Sequence, residues 1–114
     1  MNAHPDLSDR HIEIVRKVLN MFPGVYERVA VFGSRATGKA RPNSDLDLVI
    51  RGAAEWTLLA DIRMEFEESL LPLKVDLLSY ETLTNERLRA HIDRVALPLP
   101  PRPALDEFAS VAAE

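Results

Sequence analysis

The stretch that decides the fold runs from Phe32 to Leu48 and reads FGSRATGKARPNSDLDL. Before it, β-branched and aromatic residues accumulate, which predicts a buried strand over residues 25–32 that ends in a turn at Gly33 and Ser34. At its other end, acidic and apolar residues alternate, which predicts a second strand over residues 46–50. The segment between the two strands has room for at most a short helix before a turn.

Asp45 and Asp47 are separated by one residue at the second predicted strand. Side chains two positions apart on a strand project from the same face, so the two carboxylates form a pair while Leu46 and Leu48 point the other way. Two adjacent anions need water or a cation, and hard oxygen ligands of this kind suit Mg²⁺. Taken alone, the pair favours a plainer arrangement, on the exposed face of an edge strand or at a turn.

A third carboxylate, Asp76, shifts the preference from an exposed acidic pair towards a metal-binding site. Asp76 stands between Val75 and Leu77 in a short apolar stretch, and residues 74–78 predict a third strand in which an unpaired charge would be costly to bury. If the two strands that carry acids are neighbours, the three carboxylates converge on one site. That arrangement can hold two metal ions for an in-line phosphoryl displacement.

Gly33 and Ser34, at the end of the first predicted strand, are typical of a turn that binds phosphate. Glycine lets backbone amides approach a phosphate, and the turn presents N–H groups and a hydroxyl. Arg35, Lys39 and Arg41 surround this turn with positive charge that could meet a triphosphate. The alternative is that they are solvated loop charges, and the ligand role is better supported for the group than for each residue.

Two better-known motifs nearly match this region and are excluded. Residues 33–40 approach the P-loop pattern, but Ala40 stands where a hydroxyl should meet Mg²⁺, and Pro42 interrupts the long helix that a P-loop needs. An EF-hand loop beginning near Asn43 lacks both the central glycine and the final glutamate.

The composition bounds the class of protein. The chain has 114 residues, 46% hydrophobic and 28% charged, which predicts one globular domain. Its 14 basic and 18 acidic residues give a formal net charge of −4, which disfavours direct nucleic-acid binding as the main function. The absence of cysteine excludes disulfides, thiolate zinc sites and cysteine nucleophiles. Without a signal-like N-terminus or an apolar stretch of about 20 residues, we expect a cytoplasmic protein.

Capping residues and apolar positions at helical spacing predict three further helices. Each has an apolar face and stops at or before a proline. They begin after Ser8, at Trp56 and after Thr84, and they are closed by Pro23, Pro72 and Pro98.

The four prolines between residues 98 and 103 are expected to exclude regular structure. We therefore divide the chain into a domain over residues 1–97 and a Pro-rich tail over residues 98–114. Such a stretch is more often a stiff spacer than a polyproline II ligand, and the spacer is favoured here. Leu105, Phe108 and Val111 could form a short amphipathic turn, which the sequence leaves open.

As a whole, residues 32–48 resemble the signature of the minimal nucleotidyltransferases in the polymerase-beta-like superfamily. The resemblance extends from the first predicted strand to about Val95, and Asp76 falls where that family places its third carboxylate. It implies an α+β fold, with a small mixed β-sheet flanked by helices. It also implies an enzyme that uses Mg²⁺, expected as two ions, to transfer a nucleoside monophosphate, expected to be AMP from ATP, to a hydroxyl acceptor.

The resemblance also implies roles for six residues. Three of them would contact the nucleotide phosphates, and three would serve as metal ligands and catalytic groups. In chain order they are Gly33 and Ser34 at the β- and γ-phosphates, Arg35 as a further phosphate contact, Asp45 and Asp47 at the metal ions, and Asp76 at the metal site and the attacking hydroxyl.

The resemblance bears on partners as well. Larger relatives append a domain that binds the acceptor, and this chain has no room for one, so a partner is expected to supply the acceptor. In the resembled family, that partner is often a helical HEPN-type toxin, and the nucleotidyltransferase is the antitoxin that modifies it. The second hypothesis is a non-catalytic antitoxin that neutralises its partner by occlusion, against which the intact acids argue. The base preference, the acceptor and the oligomeric state stay open.

Overall fold

The computed structural model describes residues 4–52 and 54–100, which form a four-stranded mixed sheet with helices packed on both faces. This confirms the predicted α+β fold class. The strands are β1 (Val29–Phe32), β2 (Leu46–Ile50), β3 (Val75–Ser79) and β4 (Leu97–Pro98), and the helices are α1 (Asp9–Leu19), α2 (Ser34–Thr37), α3 (Trp56–Glu68) and α4 (Glu86–Val95).

The strands lie in the order β3-β2-β1-β4. β1 runs antiparallel to both β2 and β4, whereas β2 and β3 are parallel because α3 carries the chain back between them. The strands that carry the predicted acids, β2 and β3, are therefore direct neighbours, which was the condition for the acids to meet.

The two faces of the sheet bury different parts of β2. Leu48 and Ile50 are fully buried on the face that packs against α1 and α3. Val49 is also fully buried, but on the opposite face, where it packs with Phe32 and with Ile92 of α4. Because side chains alternate along a strand, Asp47 falls on the α4 side of the sheet.

One of the predicted helix caps is confirmed and one is wrong. The Ser8 hydroxyl oxygen accepts a hydrogen bond from the His11 N–H at 3.1 Å, so α1 begins as expected. α4 is capped by Asn85, whose side-chain oxygen accepts from the Leu88 N–H at 3.1 Å. Asn85 takes this place from Thr84 because it directly precedes the first helical residue, from which its side chain reaches the third helical N–H.

The first strand is shorter than predicted, because Tyr26–Arg28 form one turn of 3₁₀-helix before it. The Arg28 N–H donates to the Val25 carbonyl at 2.9 Å, and pairing with β2 begins only at Val29. A second 3₁₀ turn, Tyr80–Thr82, follows β3. In the part of the chain that the structure describes, no helix is both long and apolar enough to cross a membrane.

The expectation that prolines exclude regular structure after α4 is wrong for the first of them. Pro98 lies in β4, at the edge of the sheet, where a residue without an N–H group is tolerated. Leu99 is 6% exposed and belongs to the core on the α1 and α3 side, and the Tyr26 hydroxyl donates to the Pro100 carbonyl. Residues 98–100 are thus part of the folded unit, and the rest of the predicted tail lies outside the described residues.

Leu99→Ala tests whether this segment contributes to the core. We expect the substitution to lower the free energy of unfolding by about 2–4 kcal/mol, because it removes buried apolar surface and leaves a cavity. Leu70→Ala is the matched control, since Leu70 is 80% exposed, and it should change the same quantity by less than about 0.5 kcal/mol. Urea denaturation measures the free energy of unfolding of both variants. Equally small effects would contradict a contribution of Leu99 to the core.

Candidate active site

The three predicted acids lie at one end of the sheet. The parallel register of β2 and β3 places Asp47 opposite Asp76, and Asp45 directly precedes β2. The pKa of the Asp47 carboxyl is raised, first by burial and then by the negative charges of Asp76 and Asp45. Asp76 and Asp45 are therefore both close enough to act on Asp47 through space.

Burial is distributed among the acids differently from what the sequence suggests. The apolar neighbours of Asp76 suggest a position where an unpaired charge would be costly to bury, but the structure avoids this cost because Asp76 is exposed. Leu77, its neighbour along β3, points to the opposite face and is buried there. Asp47 is the half-buried acid, so the energetic cost of desolvation falls on it.

Gly33 brings the predicted phosphate turn against Asp47. Its backbone has φ +73° and ψ −152°, a combination that is essentially restricted to glycine. A Cβ added to Gly33 would collide with the Oδ2 atom of Asp47 and stand 3.2 Å from its Cγ atom. The side chain of Asp47 therefore occupies the space that a side chain at position 33 would need.

Ser34 begins the short helix α2 directly after this glycine. The N–H groups of Ala36 and Thr37 donate to the Gly33 carbonyl at 3.0 and 3.1 Å, which closes the turn. The first amides of a helix precede its internal hydrogen-bonding pattern, so the amides of Ser34 and Arg35 are not used by α2 itself. The predicted phosphate turn and the predicted metal ligands are thus adjacent in the structure.

The side chain of Arg35 is buried and directed at backbone carbonyls. It is 5% exposed, and its guanidinium donates to backbone carbonyls of residues 41, 42 and 44 and to the carbonyl of Asp6. The described contacts of this side chain hold a loop, and its contact with a phosphate stays a prediction.

His91 lies near the acids, which the sequence does not reveal. It lies on α4, its ring packs edge-to-face on Phe32 with 6.4 Å between ring centroids, and its charge acts to lower the pKa of Asp47. A single histidine on an amphipathic helix carries no signal of this position. Only the packing of α4 over Phe32 brings the imidazole near the acids.

The donor set fits a divalent cation that is shared with a ligand. Among residues 4–52 and 54–100, no three Asp, Glu or His side chains are arranged to enclose a metal ion. Within the described part of the chain, none of the three site acids forms an ion pair with a basic side chain. The ion pair between Arg51 and Asp93 lies outside the site. Mg²⁺ commonly binds through one or two carboxylates and completes its shell with substrate phosphates and water, so these acids are suitable ligands.

A cavity of about 450 Å³ lies at the other end of the sheet and holds none of these residues. Arg28, Arg51 and Pro98 are among the residues that line it. It is remote from the acids because residues 28 and 51 flank the ends of β1 and β2 opposite to those that carry Gly33 and Asp47.

A mixed sheet that carries three acids beside a Gly-Ser turn is an arrangement that can support phosphoryl transfer, and comparison with known proteins identifies the class of protein. The chain belongs to the nucleotidyltransferase domain family, whose model matches residues 11–105, and it is therefore a nucleotidyltransferase. It is 40% identical over 95 residues to the probable protein adenylyltransferase MntA of Haemophilus influenzae, and the match covers 82% of each chain.

Solved structures agree with this assignment. One described as a minimal nucleotidyltransferase is 37% identical, with a TM-score of 0.56 over 79% of this chain and 90% of that one. A toxin-antitoxin crystal structure with AMP-PNP has a TM-score of 0.61 over 89% of this chain and 82% of that one. At 20% identity, the second likeness concerns the fold alone.

Gly33→Ala tests the contact between the turn and the acid. We expect it to cost about 1–3 kcal/mol of stability through backbone strain, and to lower nucleotidyl transfer by about a hundredfold because Asp47 is displaced. Gly24→Ala is the control, since Gly24 shares the φ of +73° but a Cβ there would meet nothing within 4 Å. Urea denaturation and a transfer assay measure both variants, and equal transfer rates per folded molecule would refute the contact.

Asp47→Asn tests the electrostatic cost at this site. A raised pKa means that ionised Asp47 opposes folding, a cost that is fully present above the folded-state pKa and is lost as the pH falls through it. Without divalent cations, the variant should therefore melt at a higher temperature than wild type near neutral pH, and the difference should shrink on acidification. Asp61→Asn, on the exposed side of α3, should change neither the melting temperature at neutral pH nor its dependence on pH. A lower melting temperature for Asp47→Asn at neutral pH would contradict the expected sign.

Proposed function

We propose that this nucleotidyltransferase is a Mg²⁺-dependent adenylyltransferase that transfers AMP from ATP to a hydroxyl group on a HEPN-type partner toxin. In this proposal it acts in the cytoplasm as the antitoxin of the pair. The observation that carries the proposal is the juxtaposition of Asp47 with Asp76 across two parallel strands, directly beside Gly33.

The relatives support the nucleotide and the partner. The relative from Haemophilus influenzae is named as an adenylyltransferase that acts on protein, and the toxin-antitoxin structure with AMP-PNP contains an ATP analogue. A further similar structure is described as the toxin-antitoxin MntA-HepT, with a TM-score of 0.58 at 18% identity. These features belong to those proteins, and we extend them to this chain as a proposal.

The acids favour an enzyme over a module that only occludes its partner. Burial and two neighbouring anions make the charge of Asp47 unfavourable in the free protein, as the raised pKa indicates. Occlusion gives no reason to keep such a cost, whereas a cation and a triphosphate bound at this site would offset it.

In the proposed complex, the chain's residues divide between binding and proton transfer. Gly33 and Ser34 would hold the β- and γ-phosphates, with the Ser34 amide, which α2 does not use, among the donors. Asp45 and Asp47 would hold Mg²⁺ together with the nucleotide. The bound ions would supply charge neutralisation for the triphosphate and the leaving group.

Asp76 would act on the acceptor. Its exposed carboxylate would accept the proton of the attacking hydroxyl as the oxygen forms a bond to the α-phosphorus. The bond from the α-phosphorus to the bridging oxygen breaks at the same time, and pyrophosphate leaves with that electron pair. The products are the adenylylated acceptor, pyrophosphate and a proton.

Asp76→Asn separates binding from chemistry. We expect the variant to bind MgATP almost as wild type does and to transfer AMP at least about a thousandfold more slowly, which corresponds to roughly 4 kcal/mol of transition-state stabilisation. The measurements are calorimetric titration with MgATP and single-turnover transfer of label from α-labelled ATP to the protein encoded by the adjacent gene.

Asp61→Asn serves as the matched control, because Asp61 is an exposed acid on α3 outside the site. Label on the partner with wild type and Asp61→Asn, but not with Asp76→Asn, is the expected pattern. A wild-type protein that forms a complex with the partner and leaves it unlabelled would support neutralisation by occlusion and reject the proposed transfer of AMP to the partner.

A further inference from the structure

We propose that Arg35 is a positioning residue that fixes the loop over residues 41–44 and thereby sets the place of Asp45. The importance of Asp45 rests on the proposed function, whereas its placement by Arg35 can be measured without AMP transfer. It gives Arg35 a role different from the phosphate contact that the sequence suggests.

The guanidinium of Arg35 is directed at backbone carbonyls. Its Nε and Nη2 atoms both donate to the Ser44 carbonyl, at 3.2 and 2.8 Å. Nη2 also lies 3.1 Å from the Pro42 carbonyl oxygen and 3.3 Å from that of Arg41. An arginine presents five N–H donors in a planar fork, and here the fork reaches three carbonyls of one loop.

The same side chain also holds the segment before α1. Nη1 of Arg35 donates to the Asp6 carbonyl at 2.8 Å, and the Asp6 N–H donates back to the Arg35 carbonyl at 2.6 Å. Pro5, beside this contact, is buried. Arg35 therefore joins three pieces of chain that no strand pairing connects. A buried charge is tolerated there because carbonyl dipoles satisfy its donors.

The loop matters because it ends at Asp45. Ser44 is held by Arg35 on one side of this acid, and on the other side the Leu46 N–H donates to the Lys74 carbonyl at 2.8 Å. Asp45 is exposed and lies outside the strand, so its position depends on these two anchors.

Asp47 has independent support. It lies inside β2, paired with Phe32 on one side and with Asp76 on the other. Loss of the Arg35 contacts should therefore move one of the two proposed metal ligands and leave the other in place. A direct phosphate contact would predict the opposite pattern, with both acids in place and the affinity for nucleotide reduced.

Arg35→Lys is the test, because lysine keeps the charge and loses the planar fork. Arg28→Lys is the matched control. The Nε and Nη2 atoms of Arg28 donate to the carbonyls of Arg51 and Gly52 at 2.8 and 2.9 Å, which is the same kind of loop contact at the far end of the sheet. We expect both variants to lower the melting temperature, and Arg35→Lys to lower it more, because Arg35 is buried and its guanidinium contacts more carbonyls.

Only Arg35→Lys should affect the site. Binding of Mn²⁺ to the nucleotide-free protein, measured by electron paramagnetic resonance, should weaken by about 10- to 100-fold, as for other groups that orient metal ligands. Unchanged Mn²⁺ binding together with weaker binding of ATP would assign Arg35 to a phosphate and overturn the inference.

Amide hydrogen exchange gives a readout that needs neither metal nor nucleotide. In Arg35→Lys, the amides of Ser44 and Leu46 should exchange faster than in wild type, while that of Leu48 should not change. Wild-type exchange at Ser44 and Leu46 would overturn the inference even if the chain binds no Mn²⁺. An inactive wild-type protein with Arg35-dependent exchange would reject the proposed function and leave the positioning role intact.

Ser44→Ala provides a second test of the same loop in case the Arg35→Lys variant does not fold. The Ser44 hydroxyl oxygen accepts from the Arg41 N–H at 2.8 Å, so the substitution loosens the same loop without changing Arg35. Positioning predicts faster exchange around residue 44 and Mn²⁺ binding that is weakened several-fold. No change in either measurement would count against control of Asp45 by the loop.

Discussion

The carboxylate of Asp47 occupies the space that a side chain at Gly33 would need and lies beside Asp76 of the neighbouring strand, and the rest of the site depends on this crowding. The close approach requires a residue without a side chain at position 33, in a backbone conformation that is restricted to glycine. The same approach half-buries an acid next to other acids, which raises its pKa. The free protein thus carries an unfavourable charge that a cation bound with phosphate would compensate.

Packing on both faces of the sheet holds the strand that carries Asp47 in a fixed position. Leu48 and Val49 are both fully buried, on opposite faces, so the strand that carries Asp47 is packed from both sides. A tightly packed strand holds a side chain in one position even when its charge is unfavourable. Strain and unfavourable charge collected at one end of a well-packed scaffold are typical of functional sites.

Two arginines hold the loops at the ends of this small sheet. Arg28 binds the carbonyls that follow β2, and Arg35 binds the carbonyls that precede it. Loop carbonyls cannot be satisfied by strand pairing, and a guanidinium can satisfy several of them at once. The acids inside the strands need no such support, whereas Asp45, which precedes β2, stands next to the loop that Arg35 holds.

The motif from Gly33 to Asp47 was readable in the sequence because local rules govern it. A glycine after an apolar strand and two acids separated by one residue both act over a few positions, so spacing alone predicts them, as it predicts the Ser8 cap of α1. Local rules also placed Asp76 in a strand. They could not show that this strand runs parallel to β2 in the register that sets Asp76 opposite Asp47, because strand order depends on contacts between distant segments.

The remaining differences have the same origin. Isolated prolines disfavour regular structure, but Pro98 is accepted because the free edge of β1 pairs with it, and Leu99 is buried by a core formed elsewhere in the chain. By type, Arg35 suits a phosphate, yet its fork meets the carbonyls of a loop that folds back over it. The sequence alone determined which chemical groups this protein brings to its site. Tertiary structure decided which of them are buried, which meet, and which hold the others in place, because burial and long-range pairing exist only in the folded chain.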